Sequence, residues 1–221
     1  MSGVLHYRDI SELPATIPVF PLSGALLLPR GRLPLNIFEP RYLAMVRDAL
    51  GAERLIGMIQ PADATGRAAA PRLWRTGCVG KITSFSETDD GRFMITLTGL
   101  VRFDVAEELA TLTPYRRIQA DYTPYVGDLA PAADAERVDR EALVAALKRY
   151  FERHGMSADW KAIEVAPTEP LVNTLAMICP FGAPEKQALL EALTLEERTR
   201  IMIALIEMDL AQASPGEDSL Q

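Results

Sequence analysis

The residues of this 221-residue chain whose types could do chemistry are few and scattered. A phosphate-binding loop needs Gly-x-x-x-x-Gly-Lys-Ser/Thr, because backbone amides and a lysine must meet the phosphates together; the sequence holds no such string. Gly-x-Gly-x-x-Gly is missing too, as is Gly-x-Ser-x-Gly, the strained turn that presents a serine nucleophile. The two histidines, His6 and His154, stand apart. His154 precedes Gly155 at a predicted helix end, where an imidazole complements the dipole. Cys78 and Cys179 form no Cys-x-x-Cys pair and read as small buried hydrophobes. These counts predict no metal centre and no cofactor. A Ser-Lys dyad has Lys81, Lys148, Lys161 and Lys186 to choose from. Lys81 reads as a strand residue, Lys161 falls in a short helix, and Lys148 and Lys186 read as exposed helical residues. Asp89 and Asp90 stand before Gly91, which predicts a turn rather than a carboxylate pair at a reaction centre. The expectation is a chain without catalytic machinery of its own.

The densest unusual segment is Pro18 to Tyr42. Pro18, Pro21, Pro29 and Pro34 each remove a backbone donor, which predicts an extended, irregular stretch or a sheet edge. Glu39 and Arg41 open a predicted helix, with the carboxylate toward its positive end. Two readings stand side by side. In one, Glu39 and Arg41 lock a strand-to-helix junction while Phe38 and Tyr42 fill core. In the other, the segment touches a ligand, with Phe20, Leu22 and Leu35 lining the site beside Phe38, Glu39, Arg41 and Tyr42.

The elements that must position these residues follow from periodicity. Short apolar runs at 17–20, 25–28, 33–38 and 54–59 are separated by Pro and Gly. Residues 80–88 and 92–99 flank Asp89-Asp90-Gly91, a hairpin signal, and Phe93, Ile95 and Leu97 alternate with polar neighbours. Gly99 is expected to bend the chain into a further strand at 101–107, and 116–122 is another candidate. Strands at this spacing predict a barrel or sandwich. One helix interrupts them at 39–50, with Pro40 in its first turn and Gly51 after it. Beyond a linker at 126–135 the period becomes helical. Val138 to Phe151 carries an apolar stripe, Ser157 and Thr168 are expected N-caps, Pro184 opens another helix, and Thr194 with Glu197 matches a capping box. Thus 1–125 is predicted β-rich, 136–213 a helical bundle, and 214–221 a frayed polar tail.

Composition narrows the function classes. Hydrophobic residues make up 48% and charged residues 24%, ordinary for a globular protein. Residues 1–14 lack a signal-peptide pattern, and no run approaches the roughly 18–20 apolar residues of a membrane span, so a cytoplasmic location is expected. The net charge of −7 divides as +1 over residues 1–125 (14 Lys and Arg, 13 Asp and Glu) and −8 over 126–221 (9 and 17). An acidic half argues against a nucleic-acid partner. The arginines of the first half, Arg30, Arg32, Arg41, Arg67, Arg72 and Arg75, are nearly balanced by acids, which ranks RNA binding below protein binding.

Phe-Pro-Leu at 20–22 and Asn-Ile-Phe-Glu-Pro-Arg-Tyr at 36–42 closely resemble the LON substrate-binding domain, the N-terminal domain of the Lon ATP-dependent protease. The likeness continues through Ile56-Gly57, Gly77 to Ile82, the Asp-Asp-Gly turn, Leu97-Thr98-Gly99 and Arg102-Phe103. The resemblance implies an α+β fold, a PUA-like β pseudo-barrel followed by a C-terminal α-helical bundle. It implies a non-catalytic protein- or peptide-binding module that recognises unfolded or exposed polypeptide segments, with a protease or chaperone as partner. The sequence carries neither the nucleotide loop nor the Ser-Lys peptidase module of the protease, and is similar to small bacterial proteins made of this domain alone. An RNA-binding PUA-like module is the second reading, and a small-molecule-binding protein or hydrolase the third.

Overall fold

The computed structural model describes residues 7–62 and 71–212. His6, Arg67 and the tail from Ser214 lie outside the described residues. The elements in chain order are β1 (Thr16–Pro21), β2 (Arg32–Ile37), α1 (Pro40–Leu50), β3 (Leu55–Ile59), β4 (Thr76–Glu87), β5 (Phe93–Leu109), β6 (Arg116–Asp121), α2 (Arg140–Arg153), α3 (Trp160–Val165), α4 (Thr168–Ile178), α5 (Ala183–Glu191) and α6 (Leu195–Gln212). The fold is mixed α+β. The chain divides into two compact units, Met1–Pro131 with Asn173–Glu191, and Ala132–Val172 with Ala192–Gln221. Residues 173–191, which periodicity alone assigns to a helical bundle, therefore belong with the strands.

In the first unit six strands form one sheet in the order β2-β5-β4-β3-β1-β6, and β6 pairs back onto β5. β5 makes this possible by its length of 17 residues: its first part runs between β2 and β4, its second between β4 and β6. The two segments expected to meet at a bend at Gly99 form one strand, β5, with a register irregularity against β4 beside that glycine. Glycine is required there because a Cβ would stand 2.1 Å from the Leu28 carbonyl oxygen. The backbone of residues 28–31 lies against it, with Gly99 N–H donating to Gly31 O at 2.9 Å and Arg30 N–H to Gly99 O at 2.8 Å. β4 likewise begins at Thr76 rather than at Gly80. The Asp89-Asp90-Gly91 turn forms as expected, with Gly91 at φ +79°.

The prolines of β1 do not mark an outer strand. β1 lies between β3 and β6, but β6 pairs with Thr16–Val19 and β3 with Val19–Pro21. Pro18 and Pro21 thus sit where only one neighbour is in place, so a missing N–H breaks no ladder on the other side. The core of this sheet is Ile17, Val19, Leu55, Val79, Val101, Phe103 and Ile118, with Tyr122 and Tyr125. In place of an open linker, residues Thr123–Leu129 wind into a 3₁₀ turn carrying Tyr125 inward, and Asp128 receives the buried Arg102 side chain.

In the second unit α2 packs against α6. α2 buries Leu143, Ala146, Leu147, Tyr150 and Phe151, the predicted stripe. Asp159, not Ser157, caps α3, its side chain accepting from Ala162 N–H at 3.0 Å. Glu197 reaches back to Leu193 N–H at 2.8 Å while Thr194 accepts from Glu197 N–H at 3.1 Å, a capping box displaced by one residue. His154 closes α2 and its Nε2 lies 2.7 Å from Asp209 Oδ1.

Candidate functional site

β2 is the outermost strand, paired only with β5 among the described residues. The register sets Leu35 opposite Ile95 and Asn36 opposite Met94. Alternation therefore places Leu33, Leu35 and Ile37 on the face of Phe93, Ile95 and Leu97, and Arg32, Pro34 and Asn36 on the face of Thr98, Thr96 and Met94. Thr83 Oγ1 on β4 donates to Thr96 O at 3.2 Å, so the backbone polar groups of Thr96 point to β4. Pro34, paired with Thr96, consequently turns its nitrogen to the open edge. That edge offers the N–H groups of Arg32 and Asn36, the carbonyls of 32, 34 and 36, and a gap at Pro34.

Phe38 follows β2 on the Met94 face and is 63% exposed, with Met94 at 42%. The Arg92 guanidinium lies 6.0 Å from the Phe38 ring, a spacing at which cation and π-face attract. The reading that made Phe38 core is therefore corrected: the strand ends at Ile37, which takes the inward position, and alternation sends Phe38 outward. Phe85 of β4 is 42% exposed and meets Phe93 edge-on at 5.0 Å.

The other expected site residues separate into support and surface. Phe20 and Tyr42 are buried and their rings meet at 4.2 Å, joining β1 to the first turn of α1. Burial raises the Tyr42 hydroxyl above its ordinary pKa. Glu39 holds the N-cap position but makes no side-chain cap bond. Its carboxylate instead accepts from Arg41 Nε at 2.9 Å and Nη2 at 2.7 Å, and the guanidinium lies 4.6 Å from the Tyr42 ring. Leu35 is half-buried on β2. Leu22 lies beyond β1, its N–H donating to Ile59 O at 3.0 Å. Leu35 and Phe38 thus stand on opposite faces of the β2 edge, while Phe20 and Tyr42 pack on each other as buried support. Met94 and Phe85 were missed by sequence reasoning; the signal was the alternation of β5 combined with its pairing to β2.

Lys186, expected to be exposed, is buried: its Nζ donates to Gly24 O at 2.8 Å and Met177 O at 3.2 Å, and burial lowers its pKa. Among the described residues no group of three metal-ligating side chains occurs. Cys78 and Cys179 are buried and unbridged. Several arginines considered as phosphate contacts bind protein groups, Arg41 to Glu39, Arg75 to Asp104 at 2.9 Å, and Arg30 to Asp128 O at 2.6 Å. No described helix is long and apolar enough to cross a membrane.

A family model described as the ATP-dependent protease La (LON) substrate-binding domain matches residues 16–208. The chain is 25% identical over 220 residues to Lon protease 2 of Myxococcus xanthus, covering 92% of this chain and 24% of that protein. It is 27% identical over 207 residues to Lon protease 2 of Sorangium cellulosum, covering 88% and 25%. The chain thus spans about a quarter of the length of these curated relatives. Among solved structures, a Lon N-terminal domain protein from Xanthomonas campestris superposes with a TM-score of 0.61 at 22% identity, covering 86% of this chain and 98% of that one. The N-terminal domain of the Mycobacterium avium complex Lon protease also gives 0.61, at 16% identity over 87% and 98%.

Proposed function

This chain belongs to the LON substrate-binding domain family, and on that premise we propose that it binds unfolded or exposed polypeptide segments, taken up in extended form along the open edge of β2. The observation that carries this reading is an outer strand whose second edge has no partner strand among the described residues, bordered by the exposed Phe38 and Met94. An added strand bonds the free backbone groups of β2, and its alternate side chains fall on the two faces. One set meets Leu33 and Leu35, the other Phe38 and Met94. The six residues of β2 accept a segment of about 20 Å. Backbone bonding makes affinity independent of sequence, while the apolar borders favour segments that a folded protein would bury.

The circuit of pairings β5–β4–β3–β1–β6 is read as a PUA-like pseudo-barrel, with β2 and the far ends of β4 and β5 as an extension beyond it. The module works without catalysis of its own, in the cytoplasm, and hands its polypeptide to a protease or chaperone.

Fluorescence anisotropy of the protein with a labelled, reduced and alkylated polypeptide, run beside a labelled single-stranded RNA at low and moderate salt, tests this reading. Saturable polypeptide binding that survives salt and weakens at least fivefold in Phe38→Ser is the expected result. RNA binding that collapses with salt, without polypeptide binding, would replace it.

A further inference from the structure

A cavity of about 340 Å³ lies between the C-terminal end of α1 and strands β1 and β6, lined wholly by residues of the first unit. This is near the small end of the roughly 300–1,000 Å³ of ligand pockets. Pro14, Pro18 and Ala52 give it accessible apolar walls over the buried Ile17, Ala49 and Leu55, and charges of opposite sign stand beside them. From α1 and the turn after it come Asp48 and Glu53; from β6 comes Arg117.

Three features distinguish these charges from an ordinary surface. Arg117 is half-buried, yet its side chain makes no hydrogen bond or ion pair with any described residue. Asp48 sits in the last turn of α1, where the helix dipole disfavours an anion. It is nonetheless fixed: the Tyr115 hydroxyl donates to its Oδ2 at 2.6 Å, leaving Oδ1 unbonded among the described residues. Opposite charges lining one cavity would gain by closing onto each other, and here Arg117 forms no ion pair with either acid among the described residues.

We propose that this cavity is a binding site for a small apolar α-amino acid or the dipeptide built from it. The ammonium lies against Asp48 and Glu53 beside the negative end of α1, the carboxylate takes the two-pronged guanidinium of Arg117, and the side chain covers Pro14, Pro18 and Ala52. Arginine suits that role because its planar fork matches a carboxylate. The site is distinct from the β2 edge and does not depend on polypeptide binding there.

Isothermal titration calorimetry of the whole protein with L-leucine and with Leu-Leu tests the proposal. N-acetyl-leucine, which lacks the ammonium, and leucinamide, which lacks the carboxylate, serve as paired controls. The expected result is saturable binding of leucine, Leu-Leu or both, at least tenfold weaker for each capped control. Whichever of the two binds more tightly distinguishes a free amino acid from a peptide as the source. Arg117→Gln is expected to abolish the preference for leucine over leucinamide, and Glu53→Gln, on an exposed residue, to weaken leucine and reduce its preference over N-acetyl-leucine. Phe38→Ser is expected to leave all of this unchanged, which separates the cavity from the edge. No saturable binding of leucine or Leu-Leu up to ~10 mM, about tenfold above a millimolar dissociation constant, or equal binding of the capped controls to wild type, overturns the proposal.

Discussion

Replacing Arg102 by methionine tests what fastens the 3₁₀ turn and α5 to the sheet. Arg102 is buried, with its side chain 4% exposed, and its Nε and Nη2 each donate to the Asp128 carboxylate at 2.8 Å. Nη1 donates to Leu190 O at 3.0 Å, and the guanidinium lies 4.5 Å from the Tyr125 ring. Methionine keeps the apolar stem but strands Asp128, whose side chain is only 12% exposed. Removing one partner of a buried ion pair costs about 3–5 kcal/mol. Asp128 retains the backbone N–H of residue 102 at 3.0 Å, which places the loss near the lower bound, about 3 kcal/mol. At roughly 2–4 °C per kcal/mol for a chain of this size, Tm falls by about 6–12 °C. Urea unfolding followed by circular dichroism gives the free energy, and the double variant Arg102→Met with Asp128→Leu should recover part of it by removing the stranded charge. A loss below about 1 kcal/mol, or a double variant less stable than the single one, refutes the reasoning.

The remaining expectations separate buried support from surface. Phe20→Ala should destabilise by about 3 kcal/mol because its ring is buried against Tyr42, whereas Phe38→Ala should stay within about 0.5 kcal/mol in the same urea titration. The Tyr115 hydroxyl, raised from 10.0 to about 12 by burial and then by its bond to Asp48, contributes stability fully present below pH 10. That contribution is lost as pH rises toward 12, so thermal unfolding should fall more steeply across this window in wild type than in Tyr115→Phe. Pro34→Val restores a donor on the open edge of β2; anisotropy should show tighter polypeptide binding, and sedimentation should show self-association absent from the parent chain.

Much of this was legible in the sequence because it is local. Pro40 and Gly51 bracket α1, Asp89-Asp90-Gly91 turns a hairpin, and the alternation of Phe93, Ile95 and Leu97 gives one face of β5. What escaped depends on pairing between distant segments. Gly99 reads as a break until residues 28–31 are seen to occupy the space of its missing Cβ. Residues 173–191 read as bundle because helical periodicity reports an apolar face but not which surface covers it. There Gln187 Nε2 donates to Thr76 O at 3.1 Å and Gln60 Nε2 to Ala183 O at 2.9 Å, polar ties that no apolar pattern encodes. Phe38 shows the same limit on the site: its type suggests core, and only the last paired residue of β2 decides which way it faces.

An open strand bordered by apolar side chains is a hazard as well as a binding edge, since it accepts any extended chain, including a second β2. Pro34 bears on both. Its missing N–H removes one backbone bond, worth about 0.5–1.5 kcal/mol net, from any incoming strand. A polypeptide from another protein meets that gap once. Two β2 strands pairing edge to edge meet it twice, once in each chain, and the two copies of Phe38 must also find room. The penalty on self-pairing is therefore about double that on a foreign segment, enough to shift an equilibrium by roughly two- to twelvefold in favour of the foreign segment. An edge kept open for polypeptide needs such a difference, and a proline facing outward supplies it without disturbing the bonds to β5.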